Sequence, residues 1–414
     1  MPDASSRATR SIGATMTSMQ TLLFQLEPTT FLQHLATQNQ LLACLQWLGE
    51  FQVLAYVPLV GSCSVLIKDL ADLADVPEAE LYRVVRIMAL AGFLQEPQPG
   101  YIEHTALSAS FVSRPAHLDA AMFMAETVAP SALHMAAATR RHAATKSGAE
   151  ARAAESAYTV ALRCSQKEPQ TFQSALVQRK RLQRQWPAYL SCVGDCHGGA
   201  TDILGQLDWP GLGNACVVDV GGPSTRKSKT GGLCPIQTLA EHHPALRFVI
   251  QTDEPVRSQS SSFEDPTSRI SVHKRANGTQ QTIKDAAVYL IRLSTPTLTP
   301  IRTRILSELQ AHLRVLEANK SALLVLTPRL LPEPSAVDVH VESMARLRDL
   351  SLLQLANDGD LTMQELMDLV DSVHDCNGRL VVVKKLSSRN IATVALGIRY
   401  QTNTDRQHQL STRQ

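Results

Sequence analysis

No stretch of the 414 residues comes near the roughly 18 consecutive apolar positions that a membrane span needs. The longest candidate, Leu41 to Val60, is interrupted by Gln46, Glu50 and Gln52, so a soluble chain is expected. An excess of one charge is equally lacking, since 40 Lys and Arg stand against 38 Asp and Glu. That balance excludes a globally basic polyanion binder, and a hydrophobic share of 44% excludes bulk disorder. The eight cysteines lack the short, even spacing of a secreted disulfide framework, and six-cysteine zinc-cluster spacing occurs nowhere. A reducing compartment is therefore expected. The first twenty residues carry Arg7 and Arg10 among many Ser and Thr but no apolar segment, and read as a tail rather than a secretory leader.

What is present is organised. At about 150 residues per domain, the length allows two or three domains. Apolar residues recur at helical spacing from Phe31 to Val57, with Leu41, Leu45 and Leu48 on one stripe. Leu70, Leu73 and Ala74 predict a short helix. Pro77, Glu78 and Glu80 open a second, whose inner stripe is Leu81, Val84, Val85 and Met88 and which stops at Gly92. Phe93 to Glu96 and Tyr101 to His104 flank the turn Pro97 to Gly100 and read as a strand pair. Helix, turn, helix and hairpin in this order predict a winged helix-turn-helix. The alanine-rich stretch Ala132 to Ala161 reads as a loosely packed connector.

A second pattern begins at Val217 to Val220, a short apolar strand running into Gly221 and Gly222. Further strands are expected at Arg247 to Ile250, Ala286 to Leu293 and Ser321 to Leu326, with a helix from Ile301 to Leu316. Alternating strands and helices predict an α/β fold with a doubly wound parallel sheet. The polar run Gln251 to Asn277 reads as a surface insertion.

The segments Leu70 to Ala74, Leu81 to Arg86 and Val217 to Gly222, in that order, resemble the S-adenosylmethionine-dependent O-methyltransferases of the plant caffeate type and their fungal relatives. Asn39 to Ala55, Asp119 to Thr127 and Asp349 to Leu355 look closer to one branch of that family. This is the branch of the aflatoxin-cluster transcriptional co-activator and its counterparts in fungal anthraquinone clusters. The resemblance implies an N-terminal winged-helix dimerisation domain and a C-terminal Rossmann-like, class I methyltransferase-type domain. It sets the boundaries at 1–20 (tail), 21–130 (dimerisation domain), 131–205 (helical connector), 206–400 (methyltransferase-like domain) and 401–414 (tail). It also implies a co-activator of an aromatic-polyketide cluster that works with a zinc-cluster transcription factor, in nucleus and cytoplasm, as a homodimer that does not read DNA directly.

Against the family pattern, the chemistry looks depleted. Asp219, Gly221, Gly222 and Asp253 remain at cofactor-contact positions, but Pro223 and Thr225 occupy the next expected glycines. Proline removes an N–H donor, and both side chains crowd the cofactor's path. The family's proton-accepting histidine, expected just after the strand ending at Leu293, is absent. The sequence there is Leu290-Ile291-Arg292-Leu293-Ser294-Thr295-Pro296, and arginine stays protonated and cannot be a general base. His273 and His312, the nearest histidines in sequence, read as surface or packing residues. The expectation is an inactive scaffold with no catalytic residue and no cofactor, S-adenosylmethionine included. The alternative is an active O-methyltransferase acting on an aromatic polyketide.

Three competing motifs are weak. Lys227-Ser228 follows a strand at P-loop distance, yet Arg226 stands where the second glycine belongs. Cys192, Cys196 and His197 lack a matching second pair, so no metal is expected. The candidate recognition helix sets Arg83 and Arg86 against Glu78 and Glu80, which leaves too little charge for phosphate binding. Arg179, Lys180, Arg181 and Arg184 form the densest basic cluster, a candidate nuclear-import patch or a solvated helix face.

Overall fold

The computed structural model describes residues 27–59, 64–144, 155–163, 170–193, 199–221, 235–253, 269–293, 299–388 and 393–403, together with 15, 19, 22 and 25. The chain divides into two compact units, residues 1–193 with 350–357, and residues 194–349 with 358–414.

The first unit opens with helix α1 (Pro28–Glu50), where proline at the first turn suits a position whose N–H has no helical acceptor. The sequence pattern predicts one helix to Val57, but Gln52 adopts φ 53° and breaks it, so α2 (Val53–Tyr56) is a separate turn. β1 (Val65–Leu66), which the sequence pattern did not suggest, precedes α3 (Ile67–Ala74). Asp75, also left-handed, reverses the chain into α4 (Glu78–Leu90), which buries Leu81, Val85 and Met88. Gly92 has φ +72°, a conformation open to glycine without strain, and ends α4 as expected. β2 (Leu94–Gln98) and β3 (Tyr101–His104) form the hairpin, and β1 adds to it in the order β1-β3-β2. Leu48, Leu54, Leu70, Leu81 and Ile102 share the core beneath.

Helix α5 (Pro115–Phe123) passes into a π-helical turn over Met124–Val128, and α6 (Lys180–Val193) packs against it. Residues 131–193 do more than connect. Tyr158, Phe172, Trp186 and Tyr189 are buried with Phe123, Leu352 and Leu355 in one cluster. Ring centroids lie 5.0 Å apart for Phe123 and Tyr189 and 5.2 Å for Phe172 and Trp186, each such pair adding about 0.5–1.5 kcal/mol beyond area burial. The alanine-rich pattern from Ala132 to Ala161 concealed this because Phe172, Trp186 and Tyr189 lie beyond it.

The second unit is a seven-stranded sheet ordered β6-β5-β4-β7-β8-β10-β9. Its strands are β4 (Cys216–Val220), β5 (Arg247–Thr252), β6 (Ile270–Lys274), β7 (Ala286–Leu293) and β8 (Leu323–Pro328), then β9 (Gly378–Ser387) and β10 (Val394–Thr402). The first five are mutually parallel, whereas β10 runs antiparallel to both β8 and β9. The sheet is therefore mixed rather than wholly parallel. β6 lies inside the segment read as a surface insertion, and its burial is too patchy to mark a strand. Ser258 to Ser262 of that segment lie outside the described residues.

Alternate residues of β4 and β7 feed cores on opposite faces. Val218 and Tyr289 pack with Ile305 and Leu309 of helix α7 (Ile301–Ala318), and Val217 and Val288 pack with Phe248. Coverage of both faces is why these strands read as unbroken apolar runs. Helices α8 (Val339–Ala356) and α9 (Met363–Asp371) precede the β9–β10 hairpin. Thr362 and Glu365 form a reciprocal capping box that starts α9. No described helix is long and apolar enough to cross a membrane.

Candidate functional site

In sheets of this winding, ligands sit outside the carboxyl ends of the parallel strands. That edge of the second unit is formed by the ends of β4, β5, β7 and β8. Asp219 is next to last in β4 and only 1% exposed. Its register partner on β7 is Leu290, which brings Arg292 of β7 alongside the strand end. Arg292 Nε donates to Asp219 Oδ1 at 2.8 Å, and Arg292 Nη2 donates to Oδ2. A buried carboxylate without such a partner would carry a large desolvation cost, which the Arg292 guanidinium offsets.

Gly221 follows with φ +75°, and a Cβ there would stand 3.1 Å from the Arg292 carbonyl oxygen. Glycine is thus required both by conformation and by close approach. Asp253 lies just beyond β5 with its side chain exposed. These three positions, Asp219, Gly221 and Asp253, lie at one edge. Gly222, Pro223, Thr225 and the run Arg226 to Ser228 lie outside the described residues, as do Ser294 to Pro296.

Neither nearby histidine stands ready for proton transfer. His273 is exposed on β6, and His312 is wholly buried on α7. His312 Nδ1 lies 2.7 Å from the Glu308 carbonyl oxygen, and its Nε2 lies 3.1 Å from Gln281 Nε2. Burial pushes the imidazole pKa down to about 4. Glu308 accepts from Arg275 Nη1 at 3.0 Å and from the Gly278 amide at 2.5 Å. This buried network is a packing feature.

A second charged cluster escaped sequence reasoning. Arg329 directly follows β8, with Nε 3.4 Å from Asp360 Oδ1, and Arg348 Nε donates to Asp360 Oδ2 at 2.7 Å. Asp360 in turn donates its amide to Asp349 Oδ1 at 2.8 Å. Burial lowers the Arg329 pKa and raises those of Asp349 and Asp358. Pairing across twelve and thirty-one positions leaves no local spacing signal to find.

The basic cluster of the first unit is partly spent. Arg181 pairs with Glu50 and Glu126, and Arg184 Nε donates to Asp119 Oδ1 at 2.9 Å. Lys180 is exposed and Arg179 half-buried. Cys192 is exposed, and Cys196 and His197 lie outside the described residues. Among the described residues, no group of three or more His, Cys, Asp or Glu is placed to hold a metal ion.

Comparison with known proteins follows the same two lines. No protein-family model matches the chain. A transcriptional coactivator of Pseudocercospora fijiensis is 49% identical over 88% of this chain and 97% of its own length. The monodictyphenone cluster transcriptional coactivator of Emericella nidulans is 42% identical over 95% and 89%.

Among solved structures, LepI in complex with SAM aligns at TM-score 0.68 and 16% identity, covering 96% of this chain and 95% of LepI. OxaC in complex with SAH and oxaline aligns at 0.65 and 17%, covering 93% and 91%. The mitomycin 7-O-methyltransferase MmcR aligns at 0.57 and 18%, covering 93% and 100%. The fold is that of the class I methyltransferases. These neighbours overturn the expectation that no cofactor belongs here, since the same fold holds SAM in LepI and SAH in OxaC. That expectation leaned on Pro223 and Thr225, outside the described residues, while the described strand ends keep Gly221 and Asp253.

Proposed function

This chain belongs to the family of fungal gene-cluster transcriptional coactivators, and on that premise we propose that it raises expression of a secondary-metabolite gene cluster as a non-catalytic, methyltransferase-shaped co-regulator. The product class that fits the branch is an aromatic polyketide of the anthraquinone type. The observation that carries the non-catalytic reading is Arg292. A permanent cation tied to Asp219 stands near the end of β7, just before the place where the resemblance implies a histidine base.

The edge nevertheless suits an adenosyl group. Gly221 would let the backbone come close, and the exposed Asp253 carboxylate suits ribose hydroxyls. Bound there, S-adenosylmethionine would supply an electrophilic methyl group. This chain's own contribution would be to seat the nucleoside at Gly221 and Asp253, with no base at Arg292 to take an acceptor's proton.

The partner we propose is the cluster's zinc-cluster transcription factor, which would supply the DNA reading. The helix–turn–helix–hairpin part of the first unit is a winged helix on this reading. It carries little free positive charge on its second helix, since Arg86 pairs with Glu96 at 2.5 Å. Helix α1 supports a homodimer. It leaves Leu32 and Leu35 exposed and buries Leu48. Exposed leucines on a 23-residue helix suit the apolar face of a second copy. Dimerisation would double the valence toward a dimeric transcription factor. We assign the site of action to the nucleus, with Arg179, Lys180, Arg181 and Arg184 as the import patch, of which Lys180 is exposed.

A second reading, an active O-methyltransferase on an aromatic polyketide, draws on the SAM-bound fold of the neighbours. One experiment separates them. Deleting the gene should lower transcripts of its cluster, and the purified chain given S-adenosylmethionine and a phenolic anthraquinone should transfer no methyl group. Unchanged transcripts or a methylated product contradict the proposal.

A further inference from the structure

Helix α1 carries two apolar stripes. Leu41, Leu45 and Leu48 pack into the core of the first unit. At about 100° per residue, Leu32, Leu35, Asn39 and Leu42 line a second stripe about 150° round the helix from the first. Leu32 and Leu35 are 62% and 56% exposed, and from Pro28 to Gln40 every residue but Thr30 and His34 is exposed. These turns therefore gain little from packing on their own chain, although packing is what normally holds so short a helical stretch. They also lack the charges that solvate an exposed helix face. No Asp, Glu, Lys or Arg occurs from Pro28 to Gly49, in a chain with 19% charged residues. An exposed face depleted of charge has the composition of an interface core.

Two features select what covers this face. Without charge it offers no hold to a charged partner, and it can meet its own copy without like-charge repulsion. Spacings of three, four and three residues put Leu32 and Asn39 at one seam position and Leu35 and Leu42 at the other. An asparagine in such a seam leaves its amide unpaired against leucine but pairs with an identical amide, donor to acceptor. We propose that α1 lies parallel and in register against α1 of a second copy, with Leu32, Leu35 and Leu42 forming the seam and Asn39 facing its counterpart to set the direction of the pair. An antiparallel pair would bring unlike seam positions together and place Asn39 against leucine. The inference rests on the homodimer reading and specifies its interface.

Disulfide trapping in the full chain tests this. Asn39→Cys brings two thiols within bridging distance in the parallel, in-register pair, so oxidised glutathione should convert most of the variant to a covalent dimer on a non-reducing gel. Wild type, which keeps its own cysteines, should stay uncrosslinked. So should Gln40→Cys, whose position lies about 120° round the helix from the seam. Asn39→Leu removes the polar pair and should tighten self-association about tenfold, admitting species larger than a dimer in sedimentation equilibrium. A wild-type dimer whose Asn39→Cys variant crosslinks no better than Gln40→Cys would overturn this seam while leaving the homodimer standing. A wild-type chain that stays monomeric at every concentration would overturn both.

Discussion

Arg292 and Asp219 tie the carboxyl ends of β7 and β4 through two parallel hydrogen bonds, one of them 2.8 Å from Nε to Oδ1. A fork of this kind fixes both strands at the edge where the fold receives ligands. On the proposed non-catalytic reading, a group that never releases its proton stands just before the place where the resemblance implies a proton-accepting histidine. Replacing Arg292 with histidine should therefore not create a methyltransferase. Asp219 loses its partner, and the variant should unfold at lower urea, with no methylated anthraquinone detectable by mass spectrometry.

The Arg275–Glu308 pair makes a separate prediction. Both side chains are nearly inaccessible, and Glu308 also accepts from the Gly278 amide. Glu308→Ala leaves the Arg275 guanidinium buried and unpaired, which should cost about 3–5 kcal/mol of stability in urea unfolding. Exchanging both residues for apolar ones of similar volume should cost much less.

His312 gives a pH dependence with a defined sign. Its pKa is about 4 in the folded chain against about 6.5 when exposed. The folded state therefore favours the neutral ring, and this contribution is fully present above pH 6.5 and lost as the pH falls toward 4. The total is about 3 kcal/mol. Urea midpoints measured between pH 7 and pH 4 should fall accordingly, and His312→Gln should flatten the slope.

Much of the second unit was legible in the sequence because its strands are buried on both faces. β7 spans the residues its apolar run predicted, and β4 and β8 begin or end within two residues of expectation. The β9–β10 hairpin was not, because β9 alternates poorly and exposes Val383, Lys384 and Lys385 in succession. Asp219, Gly221 and Asp253 were marked by the family resemblance and lie at strand ends, whereas the Arg292 partnership and the Arg329, Arg348 and Asp360 cluster depend on side chains brought together only by the sheet and its crossovers. The break at Gln52 was hidden too, since a left-handed residue inside an apolar stripe leaves the spacing intact.

Helix α1 predicts a change in assembly. Leu32→Glu with Leu35→Glu puts charge on its exposed apolar face and should convert a dimer to a monomer in sedimentation equilibrium without lowering the unfolding midpoint. Both residues are solvent-exposed within one protomer.

The basic cluster predicts a division of labour. Alanine at the exposed Lys180 should reduce nuclear accumulation of a fluorescent fusion. Alanine at Arg181 should instead loosen the contacts to Glu50 and Glu126 and leave import unchanged.

Co-purification of the tagged chain with the zinc-cluster transcription factor of its own gene cluster, from mycelium expressing both, tests the central claim most directly. The account predicts a complex that persists when Arg292 is replaced by glutamine and that is lost together with cluster transcription when the contact surface is mutated. Absence of any complex, with cluster transcripts nonetheless dependent on the chain's transfer of methyl groups, would contradict it.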